Sequence, residues 1–159
     1  MSKVHFIGGE KGGVGKSMVA RLLAQYHIDN GKVFIGFDSD SSHETFSRFY
    51  GEFTSPVDVN DFESWDMLIE AAEESGEADI IIDLAAQTTN ALRSWIEDSD
   101  AFGILQDMGY GVFFWHVVDD GADSMRLLEN ALRHLSHPNV TFVIVQNFGR
   151  GEDFVRGRG

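Results

Sequence analysis

Apolar runs alternate with amphipathic segments along the whole chain. Five short apolar runs have the length and composition of buried β-strands, and they cover residues 4–7, 32–37, 80–83, 112–118 and 141–146. The segments between them predict helices over residues 17–29, 43–49, 64–75, 88–98 and 122–135. Strands that alternate with helices, without tight hairpin turns, predict a three-layer α/β fold in which helices flank a mostly parallel twisted sheet.

Three of the predicted helices have one apolar face each, because apolar residues recur three and four positions apart. These residues are Val19, Leu22, Leu23 and Tyr26 in the first helix, Trp65, Leu68, Ile69 and Ala72 in the third, and Met125, Leu128, Leu132 and Leu135 in the last. Residues 52–63 are the least regular internal stretch.

The segment between the first strand and the first helix has the sequence of a phosphate-binding loop. Residues 8–17 read Gly-Gly-Glu-Lys-Gly-Gly-Val-Gly-Lys-Ser and end like the motif G-x-x-x-x-G-K-[ST]. Gly15, Lys16 and Ser17 fill the last three places, whereas Glu10 stands where the motif has its first glycine. A second lysine, Lys11, precedes them. In such a loop the backbone amides hold phosphate oxygens, the lysine reaches the β- and γ-phosphates and the hydroxyl binds Mg²⁺.

The flanks of this loop are those that a nucleotide site requires. An apolar strand precedes it, and the N-terminus of a helix, with its free amides and positive dipole end, follows it. A chance glycine-rich turn is therefore the less favoured interpretation. We expect the nucleotide to contact Gly12, Gly13, Val14, Gly15, Lys16, Ser17 and Met18.

Two further predicted strands are followed by carboxylates. The second strand leads into Asp38-Ser39-Asp40, and the third ends in Asp83. Ligands of an open parallel sheet bind beyond the carboxyl ends of its strands, where a carboxylate can hold Mg²⁺ through water. Asp83 is therefore predicted to belong to the metal shell. Of Asp38 and Asp40, one is placed to serve the metal while the other orients a water for in-line attack.

Aspartates after strands also have a purely structural interpretation. Each of them fits a turn or a helix cap, and Ser41 or Ser42 fits the cap of the next predicted helix. The two interpretations are compatible, because a serine can cap the helix while the aspartates serve a ligand.

Composition narrows the function further. The chain has 159 residues, 43% of them hydrophobic, which suits one domain over residues 1–148, followed by a flexible Gly/Arg-rich tail over 149–159. We see no signal peptide and no apolar run long enough to span a bilayer, so we expect a cytoplasmic protein that does not contact membranes. A net charge of −14 argues against a large nucleic-acid surface.

The motifs together resemble the deviant Walker-A ATPases of the ParA/MinD family, which have the P-loop NTPase fold. The matching stretches are residues 11–17, 38–40 and 80–83. The resemblance implies ATP or ADP and Mg²⁺ as ligands, slow ATP hydrolysis, and a homodimer that forms around the nucleotide in the presence of ATP. It also implies that Lys11 crosses the dimer interface to the partner's nucleotide.

The resemblance also implies roles for single residues. Lys16 would bind the phosphates, Ser17 the Mg²⁺ and Asp40 the hydrolytic water, so that Lys11, Lys16 and Asp40 form the catalytic set. The implied metal shell consists of Ser17, Asp38 and Asp83. Asn147 stands where the family reads adenine, although a loop-capping asparagine fits that position equally.

The chain departs from the family pattern at two places. After Asp83 the family has a proline pair, whereas this chain has Leu84-Ala85-Ala86-Gln87. The sequence also stops at Gly159, where the family continues through another strand and helix, which suggests a shortened member or a truncated product. These departures motivate an alternative function, a regulatory module that holds nucleotide without significant turnover.

Residue types that are missing indicate the branch of the family. Without cysteine, the iron–sulfur branches are excluded, because they need thiolate ligands. No C-terminal amphipathic membrane helix is visible, and the tail offers three arginines for DNA. The opening of the chain and residues 149–154 look like the TraL/MobD-like subgroup of plasmid conjugation and mobilisation accessory proteins. This resemblance implies plasmid partition or mobilisation, a protein partner such as a DNA-binding adaptor or relaxase complex, and weak or indirect contact with DNA.

Other candidates for chemistry are weaker. His134 and His137 are three residues apart near a helix end, but no third metal ligand is evident, so a structural role is favoured. Residues 113–116 read Phe-Phe-Trp-His and fit a sheet interior better than a partner surface.

Overall fold

Six parallel strands form a single sheet in the computed structural model of this chain. It describes residues 2–9, 16–39, 46, 50–58, 60–86, 88–118 and 121–146, with the backbone alone for residues 17 and 122. The strands are β1 (Lys3–Gly8), β2 (Phe34–Asp38), β3 (Thr54–Pro56), β4 (Asp79–Asp83), β5 (Gly111–Val118) and β6 (Val140–Gln146). Their order in the sheet is β3-β2-β4-β1-β5-β6. The parallel α/β architecture predicted from the sequence is therefore confirmed.

Five helices lie among the described residues. They are α1 (Lys16–Asp29), α2 (Phe62–Ser75), α3 (Thr89–Ser99), α4 (Ala101–Asp107) and α5 (Ala122–Leu135). The predicted bounds of α1, α2, α3 and α5 agree closely with these, and the predicted helix 43–49 lies outside the described residues apart from Phe46. None of the described helices is both long and apolar enough to cross a bilayer.

Two elements were not predicted from the sequence. β3 lies in the stretch 52–63 and has three residues, which is too short for a readable alternation. α4 follows α3 almost directly, because Asp100 takes a left-handed conformation (φ 49°) that ends one helix and starts the next. Both elements depend on local backbone geometry that hydrophobic periodicity does not report.

The central strand β1 is buried on both faces of the sheet. Val4 and Phe6 pack in the larger core, which includes Trp65 of α2 and Trp95 of α3. Ile7 faces the opposite side, in a smaller core beneath α1. A strand that is covered on both faces has a nearly continuous run of apolar residues, which explains why β1 could be predicted from the sequence.

The first helix does not bury the face that its large apolar residues predict. Ala20, Ala24 and His27 are buried against the sheet, whereas Leu22 is 63% and Tyr26 50% exposed. The prediction of one common face is therefore wrong for Leu22 and Tyr26. Two alanines allow the helix axis to approach β1 and β4 closely, so small side chains rather than large ones mark the packed face.

A buried tyrosine ties α2 to the sheet. The hydroxyl oxygen of Tyr110 lies 3.3 Å from the carbonyl oxygen of Ala72, near the end of α2, and 3.1 Å from that of Ala78, just before β4. Because its side chain is almost fully buried, these carbonyls replace water as its hydrogen-bond partners.

We expect Tyr110→Phe to lower the free energy of unfolding by about 1–2 kcal/mol, because the buried carbonyl oxygens lose a hydrogen-bond donor. Urea denaturation monitored by circular dichroism measures this change. Tyr26→Phe is the matched control, since that side chain is half exposed, and it should change stability by less than about 0.5 kcal/mol. Equal effects of the two substitutions would contradict the prediction.

Candidate functional site

The ends of three neighbouring strands bring two carboxylates onto one face of the sheet. Asp38, the last residue of β2, is paired in register with Asp83, the last residue of β4, and Asp83 is paired with Ile7 of β1. Residues in register on parallel strands direct their side chains to the same face, which here is the face covered by α1. Asp38 and Asp83 are 4% and 1% exposed. The structure thus brings together the two predicted metal-shell aspartates.

The N-terminus of α1 lies at the same edge of the sheet. β1 ends there at Gly8, and after the loop α1 begins with Lys16, whose side chain is 8% exposed. A helix N-terminus carries free amides and partial positive charge, and a lysine adds a full positive charge. A buried cation and two buried carboxylates at one edge form an arrangement suited to an anionic ligand and a divalent cation together.

Several predicted residues lie outside the described part of the chain. They are Lys11, Gly12, Gly13, Val14, Gly15, Asp40 and Asn147. Of the predicted nucleotide contacts, Ser17 is described by its helical backbone alone, and the side chain of Met18 is 43% exposed on the outside of α1.

Ser39 fastens the segment after β2 to the segment after β4. Its backbone N–H and its hydroxyl both donate to the carbonyl oxygen of Asp83, each at 3.0 Å. The hydroxyl oxygen in turn accepts from the N–H of Ala85 at 2.9 Å. The side chain of Ser39 is buried, so these bonds are shielded from water. Sequence reasoning missed this role, although a serine between two strand-end aspartates was visible.

The neighbouring backbone bonds complete the connection. The N–H of Leu84 donates to the carbonyl oxygen of Ile7 at 3.0 Å, and the N–H of Val57 donates to that of Asp38 at 3.0 Å. The ends of β1, β2 and β4 are therefore held by main-chain bonds that continue beyond the strands themselves.

The start of the phosphate loop requires glycine for reasons of space. A Cβ atom at Gly8 would lie 2.8 Å from Cζ of Phe114 and 3.4 Å from Cδ1 of Leu84. The aromatic ring on β5 thus packs directly against the backbone where β1 ends, and a larger residue would push the two strands apart.

His116 also lies at this edge of the sheet. From the sequence it was predicted to lie in the sheet interior, with no role at the site. It pairs in register with Gly8 and is 2% exposed. Burial, and then the positive charge of Lys16, lower the pKa of His116 to about 4. Its Nδ1 atom has no hydrogen-bond partner among the described residues. His116 is therefore a neutral imidazole at physiological pH, within the field of the phosphate-loop lysine.

The opposite edge of the sheet holds a cluster of His5, His27 and Asp79. Among the described residues this is the one group of histidines and carboxylates close enough to hold a metal ion. Hydrogen bonds already use its ring atoms, because Nδ1 of His5 accepts from Trp115 Nε1 at 3.0 Å. His27 bridges the carbonyl oxygen of Leu23 and the carboxylate of Asp79, each at 2.8 Å. The cluster connects α1 to β4 and does not belong to the predicted site.

His134 and His137 each have a hydrogen-bond partner of their own. Nδ1 of His134 accepts from the guanidinium of Arg93 at 3.0 Å, and Nδ1 of His137 accepts from the N–H of Asn139 at 3.1 Å. The structural interpretation favoured from the sequence fits these contacts.

Comparison with known sequences matches most of the chain to a family of nucleotide-binding domains. Residues 5–156 match the family described as CobQ/CobB/MinD/ParA nucleotide binding domain, CbiA. A protein named TraL from Escherichia coli is 32% identical over 126 residues, which are 76% of this chain and 52% of TraL. A protein named MobD from Acidithiobacillus ferrooxidans is 24% identical over 152 residues, which are 94% of this chain and 65% of MobD. The chain thus spans between half and two thirds of the length of these relatives.

Comparison with solved structures supports the fold. Chloroplast FtsY from Physcomitrella patens superposes with a TM-score of 0.63 at 16% identity, over 91% of this chain and 49% of FtsY. MinD in the MinC:MinD complex from Aquifex aeolicus gives a TM-score of 0.58 at 18% identity, over 90% of this chain and 68% of that chain. The P-loop NTPase fold is thereby confirmed.

We expect acid to destabilise the fold through its buried neutral histidines. Burial is also the main cause that lowers the pKa of His5 to about 4. For a histidine whose folded pKa lies below the unfolded value of 6.5, the unfolded state binds more protons between these values. The free energy of unfolding should therefore fall as pH falls from 6.5 to 4, by about 1.4 kcal/mol per pH unit for each such histidine.

Urea denaturation at several pH values measures this slope. His116→Gln cannot take up the proton, so its slope between pH 6.5 and 4 should be smaller than that of the wild type by about one proton. Parallel pH profiles for the two proteins would contradict the assignment of His116.

Proposed function

Because the chain belongs to the CobQ/CobB/MinD/ParA family of nucleotide-binding domains, we propose that it is an ATP-binding molecular switch that hydrolyses ATP slowly and dimerises around the nucleotide. The observation that carries this proposal is the register of Asp38 with Asp83 at the edge where α1 begins with buried Lys16. A cation, a helix N-terminus and two carboxylates at one edge of the sheet support binding of a nucleoside triphosphate with Mg²⁺.

The described residues fit the ligands that the family implies. Carboxylate oxygens are the ligands that Mg²⁺ prefers, usually through its waters, and Asp38 and Asp83 are buried neighbours in register. In this proposal they hold Mg²⁺ with Ser17, and Lys16 binds the phosphates of ATP. When bound, Mg²⁺ neutralises charge on the phosphate oxygens, while the chain orients the phosphates and excludes water.

Turnover in this proposal needs residues from two copies of the chain. Lys11 of one copy reaches the nucleotide of the other, and Asp40 orients the attacking water. Asn147 contacts the adenine. The support is the family membership together with the position of Lys11 ahead of the second lysine of the loop.

The relatives named TraL and MobD support a role in plasmid mobilisation or partition. In that role the nucleotide-bound dimer engages a protein partner, such as a DNA-binding adaptor or a relaxase complex. Direct contact with DNA is disfavoured, because a net charge of −14 repels phosphate. We place the protein in the cytoplasm, where ATP and such partners are available.

Alanine substitutions of the two loop lysines should impair different steps, nucleotide binding in one case and dimerisation with hydrolysis in the other. Lys16→Ala should weaken ATP binding about 100-fold, since a charge-assisted contact with phosphate contributes about 2–3 kcal/mol. Lys11→Ala should bind ATP normally but lose both dimerisation and hydrolysis, because its target lies in the partner. Titration with a fluorescent ATP analogue measures binding, and light scattering with ATP, ADP or no nucleotide measures dimerisation.

Lys32→Ala is the matched control, since that lysine lies over the exposed ring of Tyr26, away from the site. Normal hydrolysis by Lys11→Ala would contradict the role across the interface. ATP binding without turnover by the wild type, even with partner and DNA added, would favour the regulatory module instead.

Replacing the Asp83 carboxylate tests whether Mg²⁺ binds at this site. We expect Asp83→Asn to weaken Mg²⁺-dependent ATP binding by about 10- to 100-fold, as loss of a group that holds metal-bound water does. In EDTA the variant and the wild type should bind ADP equally. Isothermal titration calorimetry measures both, with Asp107→Asn on the exposed end of α4 as the control for lost charge. An equal loss in Mg²⁺ and in EDTA would indicate a folding defect rather than a metal site.

A further inference from the structure

Ser39 occupies the middle of the Asp38-Ser39-Asp40 motif, yet its hydrogen bonds lead to a different strand. Its hydroxyl donates to the carbonyl oxygen of Asp83 and accepts from the N–H of Ala85. The hydroxyl thereby bridges two residues on either side of Leu84. A serine hydroxyl has one hydrogen to donate, and the carbonyl oxygen of Asp83 accepts it. The Ser39 side chain therefore has no hydrogen left to donate to a ligand. Any effect of Ser39 on a bound nucleotide therefore passes through its neighbours.

The segment that Ser39 holds continues directly into α3. The carbonyl oxygen of Ala85 accepts from the hydroxyl of Thr88 at 3.0 Å. Thr88 is the N-cap residue of α3, and its side chain makes no capping bond to the helix. Its hydroxyl donates to Ala85 and does not accept from an amide of the first helical turn, as the side-chain oxygen of an N-cap threonine commonly does. The helix start is thus fastened to the segment after β4.

These contacts form an unbroken chain from one loop to another. It runs from Asp38 through the backbone to Ser39, then by hydrogen bonds to Asp83 and Ala85, and then to Thr88. Every hydrogen bond in it is 3.0 Å or shorter and buried or partly buried. A displacement of the segment after β2 therefore moves the segment after β4 as well, unless the Ser39 bonds break.

We propose that Ser39 is a positioning residue that couples the end of β2, with Asp38, to the segment after β4, and through Thr88 to the start of α3. The coupling rests on the proposed function, because the ligand that would move the first segment is ATP with Mg²⁺. In this role Ser39 sets the relative placement of the two carboxylate segments and transmits the nucleotide state to α3, which lies on the opposite face of the sheet from α1.

The structural part of the test is amide hydrogen exchange, measured by NMR without nucleotide. Ser39→Ala should speed exchange at the Ala85 amide by about tenfold or more, since that amide loses its buried acceptor. The Leu84 amide, which donates to Ile7, should stay protected. Ser39→Thr, which keeps the hydroxyl, should restore protection at Ala85. Ser75→Ala is the matched control, because its hydroxyl contacts Tyr110 far from the site.

The functional part compares binding with turnover in the same proteins. We expect Ser39→Ala to bind the fluorescent ATP analogue within about threefold of the wild type while kcat falls about tenfold, a split that marks an interaction used for positioning. Binding of a non-hydrolysable ATP analogue should shift the NMR signals of the α3 N-terminus in the wild type and in Ser75→Ala. In Ser39→Ala those α3 shifts should disappear, while the shifts of α1 remain.

The outcomes separate this proposal from the one on which it rests. If the wild type fails to bind ATP, the proposed function is wrong and the coupling falls with it. If the wild type binds and hydrolyses ATP but Ser39→Ala keeps its kcat or its α3 shifts, the coupling alone is overturned. An equal loss of binding and turnover in Ser39→Ala, together with faster exchange at Leu84, would reduce Ser39 to a purely structural residue. If Ser39→Ala does not fold, Thr88→Val removes the next bond of the chain, the one from the Thr88 hydroxyl to the carbonyl oxygen of Ala85. Loss of the α3 shifts with normal ATP binding then supports the coupling, and unaltered α3 shifts overturn it.

Discussion

The register of β1, β2 and β4 is the constraint on which the site depends. Parallel strands exchange evenly spaced backbone hydrogen bonds, so one paired position fixes every other position along the strand. With Asp83 opposite both Ile7 and Asp38, the two carboxylates necessarily share a face at one edge of the sheet. A slip of one residue in β4 would move Asp83 to the face of the larger core and expose apolar side chains in its place. The apolar packing on both faces of the sheet therefore holds the polar site in position.

Several charged side chains are buried at this edge of the sheet, where hydrogen bonds hold the main chain. Ionised groups are costly to remove from water unless they are paired or hydrogen-bonded. Lys16, Asp38 and Asp83 are nevertheless buried together, and His116 beside them stays neutral. Ser39 fixes the main chain of Asp83, and the end of β1 fixes Leu84. These main-chain bonds hold the two carboxylates in place before a ligand binds.

The sequence predicted the parts of the structure that follow from local patterns. The phosphate-loop motif and the aspartates after the apolar strands identified the family, and they predicted that Asp38 and Asp83 lie at one edge of the sheet. The packed face of α1 was mistaken because alanines carry little hydrophobic signal, and α4 was missed because it depends on one left-handed residue, Asp100. The roles of Ser39 and His116 depend on which strands are neighbours. Hydrophobic pattern cannot supply that, because strand order is set by the packing of the whole chain.

The strand order also decides when the site can exist during synthesis. β1 pairs with β4 and β5 rather than with β2, although β2 follows it in the chain. The nascent chain therefore carries a phosphate loop whose strand has no partner until the residues of β4 have left the ribosome. Pairings between distant segments form late, because the entropy of closing the loop opposes them. In an incomplete chain Asp83 is accordingly not yet paired with β1, and the proposed nucleotide site can form only after the sheet has closed around β1.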